Sequence, residues 1–195
     1  MDIDYQRTED AFIALGCENF SEIYSQASQA NLFNKFETGA ITEVNFFEEL
    51  KKLSGLKDIQ PEEIKSAWNA MLIGFPKENY LMLKDLKKRY RIFLLSNTNE
   101  THITAFEKLL EKICPISEFE HLFEKVYYSC RMHARKPDAA CFLHVVNDHR
   151  LDLNETIFID DSIQHVEGAR KARITAHFLE KNMRTKSLLE KLNLL

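Results

Sequence analysis

Up to about Phe75, apolar residues recur every third or fourth position and do not alternate, the pattern of helices that bury one stripe. Phe46, Phe47, Leu50 and Leu53 share such a stripe behind Thr42, whose hydroxyl suits an N-cap. Further helices are predicted from Asp10 to Leu15 and from Phe20 to Ala27. Another runs from Pro61, a favourable first helical residue, through Ile64, Trp68 and Met71 to Leu72. No strand is predicted in this half, which reads as a helical bundle.

Beyond Pro76 the pattern changes. A helix ending in Lys87-Lys88-Arg89 leads into Ile92-Phe93-Leu94-Leu95, a short all-apolar run typical of a buried parallel strand. Strands are predicted again at Val126–Tyr128, Thr156–Ile159 and Thr175–Leu179, with helices from Thr101 to Ile113, Pro137 to Asn147 and Ser162 to Ala172 between them. The alternation predicts an α/β fold with an open, Rossmann-like parallel sheet flanked by helices. In such sheets ligands sit beyond the carboxyl ends of the strands, so the residues after each strand are the ones to search for chemistry.

The first strand ends in Ser96-Asn97-Thr98-Asn99, which brings hydroxyls, amides and the free N–H groups of the next helix to one spot suited to an anion. The competing reading is that Ser96 or Thr98 caps that helix. The second motif is Arg135-Lys136-Pro137-Asp138, where Pro137 can open a helix and leave Lys136 as a compact positive charge, or where the basic pair is simply solvated. The strand Thr156–Ile159 runs into Asp160-Asp161, and like charges this close call for a cation. Oxygen-only ligands at a strand end suit Mg²⁺. Alternatively, Asp161 and Gln164 form a capping box. Hydroxyl, lysine and paired aspartates following successive strands would converge on one phosphate: Ser96 and nearby N–H groups on its oxygens, Lys136 offsetting charge, and magnesium on Asp161.

These residues resemble the haloacid dehalogenase superfamily, whose second, third and fourth motifs look like Ser96-Asn97, Lys136-Pro137 and Asp160-Asp161 in this order. The likeness covers nearly the whole chain. With Val166-Glu167-Gly168-Ala169 it is most similar to the sugar-phosphate phosphatase branch, near the glucose-1-phosphate phosphatases. It implies an all-helical cap over residues 8–75 and an α/β core made of residues 1–7 and 76–195. It also implies that Ser96 and Asn97 bind the transferring phosphate and that Lys136 steadies it. Asp161 would ligate magnesium, and Asp160 would support or share that role. In Leu32-Phe33-Asn34-Lys35-Phe36-Glu37-Thr38-Gly39, the resemblance puts Phe36 and Glu37 against substrate; the competing reading makes Phe33 and Phe36 ordinary core at helical spacing. Arg173 stands where a helix-ending glycine is more usual.

Members of this superfamily begin with an apolar strand ending in an aspartate that attacks phosphorus, and no such strand is seen here. Asp2-Ile3-Asp4 imitates the spacing of that motif but resembles the stretch leading into the cap, so Asp2 is not read as the nucleophile. The missing strand would lie centrally, between those ending at Ser96 and Asp160, and its loss strands buried backbone groups at about 1–3 kcal/mol each. The expectation is a natural protein that extends upstream of Met1. The whole would be a magnesium-dependent phosphatase acting on a small phosphorylated metabolite through an aspartyl-phosphate, inactive in the truncated form. The alternative is a catalytically dead regulatory module that keeps the phosphate cradle.

Composition narrows the partners. The formal charge of -4 with no basic run argues against nucleic acid or an anionic membrane surface. The acidic start and the short apolar runs predict a cytoplasmic protein without a membrane span. Cys17, Cys114, Cys130 and Cys141 are scattered, as expected of reduced thiols. Cys130-x-x-His133 and Cys141-x-x-His144 have a spacing that admits zinc. Cys141 and His144 would share one helix face with Phe142 and Val145 nearby, and the intervening Lys136-Pro137 is already accounted for, so the zinc reading is not adopted. His102 and His165 read as solvated or supporting groups.

Overall fold

The structure, a computed structural model, describes residues 1–29, 31–56 and 58–195. It consists of two compact units, Met1–His133 and Ala134–Leu195. Among the described residues, no helix is long and apolar enough to cross a membrane.

The first unit opens with β1 (Asp2–Ile3) and α1 (Tyr5–Ala14), followed by α2 (Phe20–Gln29), α3 (Leu32–Glu37), α4 (Glu43–Ser54) and α5 (Pro61–Asn69). Next come β2 (Leu72–Gly74), α6 (Lys77–Lys87), β3 (Phe93–Ser96), α7 (Glu100–Leu110), α8 (Ile116–Glu120), β4 (Lys125–Tyr128) and α9 (Ser129–Met132). Local chemistry sets the ends. Thr42 caps α4 by accepting from the Asn45 N–H at 3.2 Å, as predicted, and Gly55 closes the helix with φ 68. Glu63 reaches back to the Gln60 N–H at 3.1 Å to secure the start of α5.

Two expectations fail here. α1 starts at Tyr5, well before Asp10, because the Asp4 carboxylate accepts from the Gln6 N–H and caps the helix early. A strand also exists in this half: β1 pairs antiparallel with β2. Its cause is Thr8, whose buried hydroxyl donates to the Trp68 carbonyl at 3.2 Å and accepts from the Met71 N–H at 3.1 Å. That exchange takes up backbone groups at the C-terminal end of α5, so the chain extends where the periodicity alone would have carried the helix on to Leu72.

Helices α1–α5 close around an aromatic core that includes Phe12, Phe36, Phe46, Leu50, Ile64 and Trp68. A second core, with Tyr80, Leu110, Phe119 and Phe123, packs against Phe75, Leu94 and Val126 and so supports β3 and β4. Those strands run parallel with Ser96 opposite Tyr128, which sets both residues at the carboxyl end of the pair.

The second unit contains α10 (Ala139–His149), β5 (Ile157–Asp160), α11 (Ile163–Lys171), β6 (Thr175–Phe178) and α12 (Thr185–Lys191). β5 and β6 are parallel, with Asp160 opposite Phe178. Phe142, Val166 and Ala169 are buried, and the Phe142 ring meets Phe158 edge-on at 5.1 Å. The predicted parallel strands are thus present, but as pairs: among the described residues β3 ladders with β4 alone and β5 with β6 alone. With one ladder neighbour each, β3 and β5 are only partly buried instead of enclosed on both faces.

Candidate active site

In the second unit, β5 delivers Asp160 and Asp161 at its carboxyl end, and the two side chains are treated very differently. Asp160 is 8% exposed, and both of its oxygens have partners. Oδ2 accepts from Lys136 Nζ at 2.6 Å, while Oδ1 accepts from the Ser162 N–H at 2.8 Å and lies 2.9 Å from His165 Nδ1. Burial alone would raise its pKa. The His165 hydrogen bond and the Lys136 ammonium, with the Ser162 N–H, overcome that and hold it below the usual carboxylate range. Asp161 is exposed, and among the described residues no hydrogen bond or ion pair engages it. The capping-box alternative is not what forms: α11 is capped at Ser162, with Asp160 accepting from the Ser162 N–H.

Lys136 is itself buried, so the solvated-pair alternative also fails. Its ammonium stands 5.5 Å from the centre of the Phe158 ring as well as on Asp160. Pro137, joined to Lys136 by a cis peptide, precedes α10, which is capped at Asp138 and begins at Ala139. Gly168 on α11 fits tightly against this segment: a Cβ there would fall 2.2 Å from the Pro137 carbonyl oxygen. Only glycine lets the helix approach the loop that carries Lys136.

In the first unit, neither Ser96 nor Thr98 caps α7. Asn99 does, accepting from the His102 N–H at 2.9 Å. Ser129, buried at the end of β4, accepts from the Thr98 N–H and donates to the Thr98 carbonyl, which fixes the loop after β3. The Ser96 hydroxyl keeps its hydrogen-bonding capacity, because no side-chain bond engages it among the described residues. Ser96 and Asn97 line a cavity of about 230 Å³, and so do Glu37, Trp68, His102 and Tyr128. Phe36, expected at the substrate, lies elsewhere: it is 4% exposed and stacked on Phe46 at 4.1 Å, so the core reading holds for it. Phe33, three residues earlier on α3, lines the cavity instead.

His102 was not read from the sequence as more than a supporting group. Because the Asn99 side-chain oxygen is used in the cap, its amide nitrogen faces the ring, 3.2 Å from Nδ1, and donates to it. The ring proton then belongs on Nε2. Burial holds the imidazole neutral, with its pKa lowered from 6.5 to about 4; the neighbouring Trp68 backbone pulls the other way, although among the described residues Nε2 makes no hydrogen bond. Between those values the unfolded chain binds a proton that the folded chain refuses. Stability is therefore complete above pH 6.5 and falls as pH drops toward 4, by about 3 kcal/mol. Urea unfolding at neutral pH and near pH 4 should show that His102→Gln loses correspondingly less on acidification than the parent. Equal losses would refute a buried neutral ring.

The cysteines are held as thiols. Burial pushes Cys130 and Cys141 each up to about 11, which disfavours the thiolates that zinc would need. Among the described residues, no three His, Cys, Asp or Glu side chains gather as a metal cluster. A cation on Asp161 would take most of its oxygens from water and ligand, the habit of Mg²⁺ rather than zinc or calcium.

The sequence pattern of the haloacid dehalogenase-like hydrolases matches residues 14–173. The chain belongs to this family. Among characterised haloacid dehalogenase-like proteins it is similar to D-ribitol-5-phosphate phosphatase of Bacteroides thetaiotaomicron, 28% identical over 172 residues, covering 85% of this chain and 80% of that one. A crystal structure of a HAD-family enzyme from Bacteroides thetaiotaomicron, in complex with magnesium and inorganic phosphate, superposes with a TM-score of 0.85 at 28% identity, covering 96% of this chain and 92% of that one. A predicted HAD-like family hydrolase from Porphyromonas gingivalis matches with a TM-score of 0.85 at 25% identity, over 99% and 92% of the two chains.

Proposed function

We propose that this member of the family is a magnesium-dependent phosphatase of small phosphomonoesters, with a sugar or polyol phosphate as substrate. The observation that carries the reading is the contrast at the end of β5: a buried aspartate locked to a buried lysine beside a second aspartate left open. A buried ion pair costs desolvation and is poor evidence for stability alone. Beside an open carboxylate at a strand end, it fits a place where an anion and a cation are met together. The relatives named above, one acting on D-ribitol 5-phosphate and one binding magnesium and phosphate, support the same chemistry.

In this reading the Ser96 hydroxyl and the Asn97 amide donate to non-bridging phosphate oxygens, and Lys136 offsets their charge. Asp161 would hold the magnesium ion, which supplies charge neutralisation during transfer. Asp160, with His165 behind it, keeps Lys136 in place. An aspartate carboxylate attacks phosphorus, the ester P–O bond breaks and the leaving alkoxide takes a proton from solvent water, which regains one when the aspartyl-phosphate is hydrolysed. Water then hydrolyses the aspartyl-phosphate to inorganic phosphate and restores the carboxylate. Residues 8–75 serve as the cap that chooses the leaving group.

The attacking aspartate is proposed to lie outside residues 1–195, on a strand that would ladder with β3. Two observations support this: β3 has only β4 beside it among the described residues, and Asp2 lies on an antiparallel strand while Asp4 caps α1. The test joins the coding sequence upstream of Met1 in frame to the chain. Phosphate release from D-ribitol 5-phosphate and other monoesters is then measured with magnesium and with chelator. Release that requires magnesium is expected. Binding of magnesium and phosphate without turnover would favour the regulatory module, and absence of both would end the phosphatase reading.

A further inference from the structure

Among the described residues, three buried polar side-chain atoms on three different elements lack a hydrogen-bond partner and belong to residues around one cavity: Trp68 Nε1 at the end of α5, His102 Nε2 on α7 and the Tyr128 hydroxyl on β4. Buried donors are almost always satisfied in folded proteins, so three orphans around one space ask for a common explanation. Their geometry is stiff. The indole of Trp68 stacks with Phe33 at 5.4 Å and with the His102 imidazole at 5.4 Å, with interplanar angles of 12° and 11°. Asn99 fixes the rotation and tautomer of that imidazole.

We propose that this stack is the specificity element of the protein: Trp68, His102 and Tyr128 recognise the hydroxyl groups of an uncharged polyol chain. The chemical class follows from the donor inventory. Trp68 Nε1 can only donate, and His102 Nε2 carries its proton and also donates. The Tyr128 hydroxyl both donates and accepts. A ligand that meets all of these must both accept and donate, as hydroxyl groups do and a carboxylate or an ammonium does not. The apolar faces of Phe33, Met71 and Phe106 provide the contact that carbon-bound hydrogens of a polyol make on aromatic walls. Ser96 and Asn97 border the same cavity, so the recognised chain is the alcohol portion of the phosphate ester proposed above. The biological meaning rests on that proposal, whereas the binding itself does not need hydrolysis.

The probe is free ribitol, and the reporter is built in, because Trp68 is the sole tryptophan. Ribitol is expected to shift its emission saturably in the millimolar range, with 1,5-pentanediol, equal in length but poorer in hydroxyls, binding at least about 10-fold more weakly. His102→Phe, which keeps a stacked ring and loses the donor, should weaken ribitol about 10-fold, and His102→Gln should recover part of it. Tyr128→Phe provides an independent variant should the first not fold. Calorimetry repeats each titration. The inference is overturned if ribitol gives neither an emission change nor heat, if the diol binds equally well, or if the folded variants bind like the parent. Magnesium-dependent hydrolysis without ribitol binding would remove this inference alone. Ribitol binding without hydrolysis would remove the phosphatase reading alone.

Discussion

Lys136→Met should destabilise the protein by about 3–5 kcal/mol, the usual consequence of deleting one partner of a buried ion pair. Methionine fills the space beside Phe158, so the loss is not one of packing volume. It arises because Asp160 stays 8% exposed without its cation. In the parent, Lys136 and His165 hold the Asp160 carboxyl low, so that contribution is present above the ordinary carboxylate pKa and is lost as pH falls through the lowered value. In the variant, burial is opposed only by His165 and the Ser162 N–H, so the carboxyl rises from its parental position, less stability is lost on acidification and the gap to the parent narrows. Adding Asp160→Asn to Lys136→Met removes that charge altogether and should recover most of the loss, although Asp160→Asn alone leaves a buried ammonium and is costly. Chemical denaturation of the four proteins closes the cycle. A single variant within about 0.5 kcal/mol of the parent would mean that the pair is solvated after all.

The α/β half was legible because a buried parallel strand writes itself as a short apolar run, and the polar residue that stops the run marks the strand's end. Ser96 and Asp160 were located in this way, and the observed strands finish on both. The helical half was less legible where single polar side chains overrule periodicity. Nothing in the apolar pattern shows that Thr8 will reach across to Trp68 and Met71, yet that contact ends α5 and allows β1 and β2 to pair.

The candidate site divides along the same line. Residue types at strand ends announce Ser96, Lys136, Asp160 and Asp161, but the different states of the two aspartates depend on neighbours distant in sequence. Phe33 and Phe36 show the limit clearly. Both sit on one short helix at helical spacing, and only the packing of Phe46 and Trp68 decides that Phe36 joins the core while Phe33 faces the cavity. The donors of Trp68, His102 and Tyr128 were not predicted, because a missing hydrogen-bond partner is a property of three-dimensional surroundings. One signal was available: Asn99, an amide at N-cap spacing three residues before a histidine, can fix a tautomer.

Asp161→Asn is expected to separate binding from stability. The side chain is exposed and makes no hydrogen bond or ion pair among the described residues, so its replacement by an isostere should move the unfolding free energy of the metal-free protein by no more than about 0.5 kcal/mol. Removing a carboxylate beside the buried charge of Asp160 can only ease like-charge repulsion there. Magnesium affinity, measured calorimetrically with inorganic phosphate present, should fall at least about 100-fold, the upper end of what loss of a mere supporting partner costs at a metal site. The contrast with Asp160→Asn carries the inference: adjacent aspartates on one strand end, the first needed for the fold and the second for the ion. Unchanged magnesium affinity in Asp161→Asn would move the cation elsewhere and leave the open carboxylate without a role.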